Sequence, residues 1–211
     1  MSESPRERYR AQVREEIKRH AWEQIAAAGV PALSLNAIAK QLGMSGPALY
    51  RYFASRDELI TALIRDAYRS LADTVRAARA AGAGLPGLAA TIGAWARSDP
   101  QRYFLIYGTP VPGYHAPDDT TAISFEVMAV LIDACADEGG DEPPTPFDTH
   151  LETRREWAGG HPAPAPVLHR ALSFWTRLHG VLSLELAGHF AGMKFDPDLL
   201  ITEELAPPER P

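Results

Sequence analysis

Cysteine is nearly absent from this chain of 211 residues: Cys135 stands alone. A lone thiol excludes an intramolecular disulfide and suits a reducing compartment. Cys135 reads as a small buried apolar residue on a helix, with a redox-sensing thiol as the rival reading. No apolar run reaches the roughly 18 residues of a membrane span. The segment Met1–Arg10 is polar and lacks the apolar stretch of a secretory signal. These absences lead to the expectation of a cytoplasmic protein without a membrane partner. The chain also has no P-loop, no H-E-x-x-H pattern and no nucleophile elbow. Glu185 and His189 lie one helical turn apart, but no third metal ligand accompanies them. The acidic turn 137–142 lacks the alternating ligands of a calcium loop. No enzymatic activity, metal or cofactor is therefore expected.

What the chain does have is an ordinary globular composition, 45% hydrophobic and 23% charged, and an uneven distribution of charge. The net charge is −6, yet residues 1–56 carry nine Lys and Arg against five Glu, while the remainder carries 12 against 22. Affinity for phosphate depends on the local field rather than the total. The asymmetry suggests a basic head, able to face nucleic acid, on an acidic body; a solvated basic helix face would look the same.

Residues Pro5 to Ala28 are good helix formers, and Val13, Ile17, Ala21, Ile25 and Ala28 recur at spacings of three or four. Trp22 widens that stripe, and Gly29 is expected to stop the helix as a left-handed cap. Ser34 suits the N-cap of a second helix over 35–42, with Leu35, Ile38, Ala39 and Leu42 inward. After a three-residue turn, Gly43-Met44-Ser45, a third short helix is expected at Gly46-Pro47, with Ser45 placed to cap it. Leu49 and Phe53 share its buried face, leaving Tyr50, Arg51 and Tyr52 to point elsewhere. Ser55 and Glu58 form an S-x-x-E capping box that opens a long fourth helix, to about residue 81. A helix, a tight turn and a second helix is the plan of units whose second helix enters the major groove. A plain hairpin in a bundle is the competing reading, but the outward face of the third helix offers two tyrosines and an arginine rather than Glu and Lys.

The stretch from Ser34 to Leu59 contains Ile38-Ala39, Gly43-Met44-Ser45, Leu49-Tyr50-Arg51-Tyr52-Phe53 and Arg56-Asp57-Glu58-Leu59. In this order and spacing it resembles the TetR family of bacterial regulators. The resemblance covers about residues 13–60 and implies an all-α fold: a helix-turn-helix head, residues 1–60, and a ligand-binding and dimerisation body, residues 61–211. It implies that Ser34 bonds a phosphate and that Ser45, Gly46, Pro47 and Ala48 form the groove-facing start of the recognition helix. Tyr50 and Tyr52 would touch the phosphate backbone, Arg51 a guanine edge or a phosphate, and Arg56 a phosphate beside the fourth helix. Tyr52 stands where the family usually has His, and Arg56 where it usually has Lys; both still donate to phosphate. The tip Gly46-Pro47-Ala48 has no side-chain donors, so base reading would rest on thymine methyls, Arg51 and DNA shape.

No composition break follows the head, so the fourth helix is expected to run rigidly into the body. Helices are expected near 85–97, 99–107, 121–136 and 167–192, with a short one near 149–157, and a tail rich in Pro and acid closes the chain. Residues 139–166, with six prolines and four glycines, should form a long excursion. The segment Phe174–Leu186, with Trp175, His179 and Gly180, looks like the C-terminal domain of a TetR subgroup with a Trp-His-Gly signature. Tyr107–Tyr114 is similar to the stretch that accompanies it. The resemblance implies a homodimer through helices at about 121–137 and 167–192, where Gly180 and Gly188 permit close approach. It also implies an apolar cavity for a small-molecule effector, with Phe104, Tyr107, Tyr114, Phe125, Met128, Trp175 and His179 as candidate lining residues. Each aromatic reads equally as core, and His179 either as a polar anchor or as a satisfied core histidine. The function so implied is a repressor of a palindromic DNA operator. An activator, or a helical protein-interaction module, are the alternatives.

Overall fold

In the computed structural model, residues 4–110, 114, 117–139 and 143–206 are described. They contain ten α-helices and no strand, the all-α class expected. The helices are α1 (Pro5–Ala28), α2 (Leu35–Gln41), α3 (Gly46–Leu49), α4 (Arg56–Ala80) and α5 (Leu85–Ser98). They continue as α6 (Pro100–Tyr107), α7 (Asp118–Asp137), α8 (Pro146–Leu151), α9 (Ala165–Leu186) and α10 (Pro197–Leu205). None is long and apolar enough to cross a membrane.

The chain forms two compact units. One comprises residues 1–67 and 101–117; the other comprises 68–100 and 118–211. In the first, Ile17, Ala21 and Ile25 of α1 are buried together with Leu35, Ile38 and Ala39 of α2 and Leu59, Ile60 and Leu63 of α4. The inward stripes expected there are observed except at their ends: Ala28 is exposed and Leu42 only half-buried, because each stands at the last turn of its helix. In the second, α9 packs against α7, α8, α10 and α5. Its core holds Leu88, Ile92 and Ala96, Leu131, Ile132 and Cys135, and Leu168, Ala171, Leu178 and Leu182. At about 25 cal/mol per Å² of apolar surface, each such fully buried Leu or Ile contributes roughly 1.5–3 kcal/mol.

Helix ends differ from expectation where backbone chemistry intervenes. Ser4 and Glu7 form a reciprocal capping box at the start of α1. Gly29 ends that helix at φ 76° and ψ 169°, a positive-φ conformation that glycine alone adopts readily but outside the αL region of a left-handed cap. Ser45 occupies the N-cap of α3 without a side-chain capping bond. In the box opening α4, Glu58 N–H donates to Ser55 Oγ at 3.0 Å, but Glu58 Oε2 accepts from the N–H of Ala54, one residue earlier, at 2.6 Å. The helix expected over 149–157 is instead α8 followed by a 3-10 turn at Glu156–Ala158, because Thr145 and Asp148 box the N-terminus of α8 further upstream. Helix α9 ends at Leu186 rather than 192. Gly188, at φ +81°, turns the chain in the left-handed region that favours glycine. Gly188 thus lies beyond the end of α9 rather than within it, and Phe190 leaves the apolar face to meet the Phe195 ring at 4.9 Å. The tail contains α10, which sequence reading missed; Asp196 caps it and Pro197 occupies its first turn. The acidic turn and the Tyr107–Tyr114 stretch lie partly outside the described residues.

Burial sets the protonation state of two titratable groups. Cys135 is fully buried, and desolvation pushes its thiol up to about 12, so it carries no thiolate for redox chemistry. Burial lowers His179 to about 4, leaving it neutral at physiological pH. The unfolded chain, at about 6.5, takes up that proton first. Stability is therefore full above pH 6.5 and falls as pH drops toward 4, by up to about 3 kcal/mol. A thermal melt series from pH 7.5 to 5 should show this loss, and His179→Phe should flatten the profile; equal slopes for both proteins would refute the assignment.

Candidate nucleic-acid interface

The head is built around a helix too short to stand alone. Helix α2 opens at Ser34, whose Oγ accepts from Ala37 N–H at 3.3 Å while its own N–H donates to Gln24 Oε1 at 2.9 Å. Gly43 then reverses the chain at φ +64°. The N–H of Met44 closes this turn on the carbonyl of Ala39 at 2.9 Å. Four residues, Leu42–Ser45, separate α2 from α3, one more than the spacing predicted.

Helix α3 holds only Gly46, Pro47, Ala48 and Leu49, and isolated helices below about 12–15 residues are marginal in water. Two turn bonds extend it, from Tyr50 N–H to Gly46 O at 3.1 Å and from Tyr52 N–H to Leu49 O at 2.8 Å. Its anchors are Leu49 and Phe53, both completely buried. The opposite side is open: Tyr50 is 44% exposed, Ser45, Pro47 and Arg51 are exposed, and Gly46, Ala48 and Tyr52 are half-buried. The division expected for this helix, Leu49 and Phe53 inward and Tyr50, Arg51 and Tyr52 elsewhere, is the one found.

Sequence reading missed Arg10 and Arg14 of α1. Arg10 Nη2 donates to the carbonyl of Arg51 at 3.2 Å, and Arg14 Nη1 donates to the carbonyl of Tyr52. The Arg14 guanidinium also lies 4.0 Å from the Phe53 ring centroid and 3.8 Å from Glu58. These cations meet the free carbonyls just beyond α3, where a helix dipole favours positive charge. The signal in the sequence was a basic pair at i, i+4; its target carbonyls, 38 and 41 residues away, become visible only in the fold. Arg56 is half-buried and donates from Nε to Leu33 O at 3.2 Å and from Nη2 to Val30 O at 2.7 Å. It thereby ties the start of α4 to the segment preceding α2.

The effector-lining candidates divide between the compact units. In the first, Phe104 and Tyr107 lie against the buried Tyr103 ring, at 5.6 and 5.4 Å, and Tyr114 Oη meets Thr61 Oγ1 at 3.0 Å. In the second, Trp175 and His179 are in ring contact at 4.9 Å, while Phe125 and Met128 are half-buried on α7. Glu185 and His189 do not form a metal pair: Glu185 accepts from Arg97 Nε at 2.6 Å and Nη2 at 2.9 Å, and α9 has ended before His189. Among the described residues no group of three or more potential ligands is close enough to hold a metal.

If Arg14 holds the end of α3, Arg14→Met should destabilise the protein by about 1–2 kcal/mol, through a lost cation–π contact and an uncapped carbonyl. Chemical denaturation checks this, and a change below about 0.3 kcal/mol would mean the contact is idle.

Comparison with known proteins accords with this architecture. Residues 17–63 match the bacterial regulatory proteins of the tetR family, and residues 85–206 match the tetracyclin repressor-like C-terminal domain. The HTH-type transcriptional regulator Rv1816 of Mycobacterium tuberculosis is 37% identical over 207 residues, covering 90% of this chain and 88% of its own. The crystal structure of SCO4313, described as a regulatory protein, is 69% identical with a TM-score of 0.89, covering 96% of this chain and 97% of its own. A protein of unknown function from Rhodococcus sp. RHA1 shares the fold, with a TM-score of 0.66 at 21% identity over 90% of each chain. With both halves matched and a relative of this identity spanning nearly the whole chain, the protein belongs to the tetR family of bacterial regulatory proteins.

Proposed function

We propose that this protein is a cytoplasmic transcriptional repressor that binds a palindromic DNA operator as a homodimer and is released by a small apolar molecule. The observation that carries the reading is the exposed face of α3, Tyr50 and Arg51 with half-buried Tyr52, held over the buried Leu49–Phe53 anchor. Ser34, Ser45, Gly46, Pro47 and Ala48 complete the DNA-facing set, and the unpaired valences of Arg56 are offered to a phosphate. Residues 1–60 act as the DNA-binding domain and 61–211 as the effector and dimerisation domain. The Trp-His-Gly pattern, at Trp175, His179 and Gly180, supports reading the body as a member of that subgroup.

Dimerisation uses α7 and α9. Support comes from Leu184, 47% exposed on α9, and from Gly180, above which a Cβ would meet nothing within 4 Å. Two copies would present two α3 helices to successive major grooves, about 34 Å apart. The effector candidates remain Phe104, Tyr107 and Tyr114 in the first unit and Phe125, Met128, Trp175 and His179 in the second. Release follows by linkage: a ligand that prefers the DNA-incompetent state weakens operator binding by the ratio of its two affinities. Helix α4, unbroken over 25 residues and contributing to both units, is the element on which such coupling depends.

Fluorescence anisotropy on DNA fragments from around the protein's own gene tests the reading. Tight binding to one fragment, falling steeply with salt, is expected. Arg51→Ala should cost about 1–3 kcal/mol on that fragment, and Tyr50→Phe a smaller, sequence-independent loss. No preference over random DNA at any salt concentration would overturn the operator reading.

A further inference from the structure

Helices α5 and α10 leave a cleft between them, wholly inside the second compact unit. Its volume is about 540 Å³, within the range of roughly 300–1,000 Å³ typical of small-molecule sites. The cause is a run of small side chains. Ala89, Ala90 and Ala94 of α5 line the cleft opposite Ile201 and Leu205 of α10, and a methyl group is too short to fill the space between two helices. With Leu85 they make the walls largely apolar.

Charge marks the two ends. At one, Arg97 Nη2 donates to Asp198 Oδ1 at 2.7 Å while Nε and Nη2 hold Glu185, so this cation is already neutralised. Because Arg97 is late in α5 and Asp198 early in α10, the helices run antiparallel. Leu85 then lies beside the Leu205 end, roughly 18 Å from Arg97 at 1.5 Å per residue. Glu138, which also lines the cleft, stands at that far end. Its neighbour Asp137 pairs with Arg79, which in turn donates to the carbonyl of Ala83, two residues before α5 begins. Arg170 donates to the carbonyl of Gly139, and among the described residues Glu138 forms no ion pair. The N-terminus of α5 and the C-terminus of α10 oppose each other there, so their dipoles largely cancel; Arg170, on the neighbouring carbonyl, does not line the cleft, and Glu138 is its charged lining residue at this end.

We propose that this cleft binds an elongated apolar molecule with a cationic head, its body along Ala89, Ala94 and Ile201 and its charge beside Glu138. An anion would meet Glu138 and Asp198 with no uncompensated cation among the lining residues. The inference rests on the reading of the body as the ligand-responsive half, and adds a site apart from the aromatic candidates.

Isothermal titration of the full chain without DNA, using octyltrimethylammonium with octanesulfonate and 1-octanol as matched probes, tests it. Saturable binding of one ammonium per chain is expected, at least tenfold tighter than the sulfonate. Glu138→Gln should reduce the ammonium to the affinity of octanol, and Ala94→Trp, at an exposed position of α5, should weaken both by tenfold or more. Ala90→Leu gives a smaller obstruction should Ala94→Trp lower the melting temperature. Equal affinities for ammonium and sulfonate, or binding unchanged in a folded obstructed variant, would overturn the site. Because DNA is absent, either result leaves operator binding to its own experiment.

Discussion

The face proposed to meet DNA hangs on a helix of four residues. Local bonds alone do not hold α3: it is far below the length at which a helix persists in water, and its N-cap serine makes no side-chain capping bond. Its conformation is imposed by burial of Leu49 and Phe53 beneath it and by two arginines from α1 at its C-terminal carbonyls. Tyr50, Arg51 and half-buried Tyr52 are therefore positioned by residues that need never touch DNA. Substitutions in α1 are as consequential for the interface as substitutions within it.

The second unit obeys a different logic. Its long helices associate by apolar burial around α9, and a ligand-sized gap opens where the alanines of α5 face α10. Arg97 shows how polarity is managed in such a setting. It is bound bidentately by Glu185 and once by Asp198, which raises its pKa further and fixes α5, α9 and α10 together at one point. A half-exposed network of this kind contributes more to the register of three helices than to net stability.

Much of the fold was legible because periodicity in a helix reports directly on burial. The stripe of α1, the Ser34 cap, the Leu49–Phe53 anchor and the span of α5 all followed from side-chain spacing and local capping chemistry. The errors came at ends. Helix α9 was extended through Gly188 because the apolar pattern continues to Phe190, whereas a positive φ at Gly188 breaks the backbone before the pattern does. Helix α10 was overlooked because proline and acid were read as tail composition, although Asp196-Pro197 followed by Leu199, Leu200 and Ile201 is itself a helix start. Arg56 was assigned from the resemblance alone, and the carbonyls of Val30 and Leu33 that hold it could not be read from spacing.

By itself the sequence determined the all-α class, the order of the head's helices, the residues that α3 buries and exposes, and the family. These depend on contacts within a few residues or on an ordered motif, and both are written along the chain. Only the tertiary structure decided that Arg10 and Arg14 hold the end of α3, that Glu185 serves Arg97 rather than a metal, and that α5 and α10 enclose a cleft. Each of these joins residues 38 or more positions apart, and no local periodicity encodes which distant carbonyl, carboxylate or methyl group a side chain will meet.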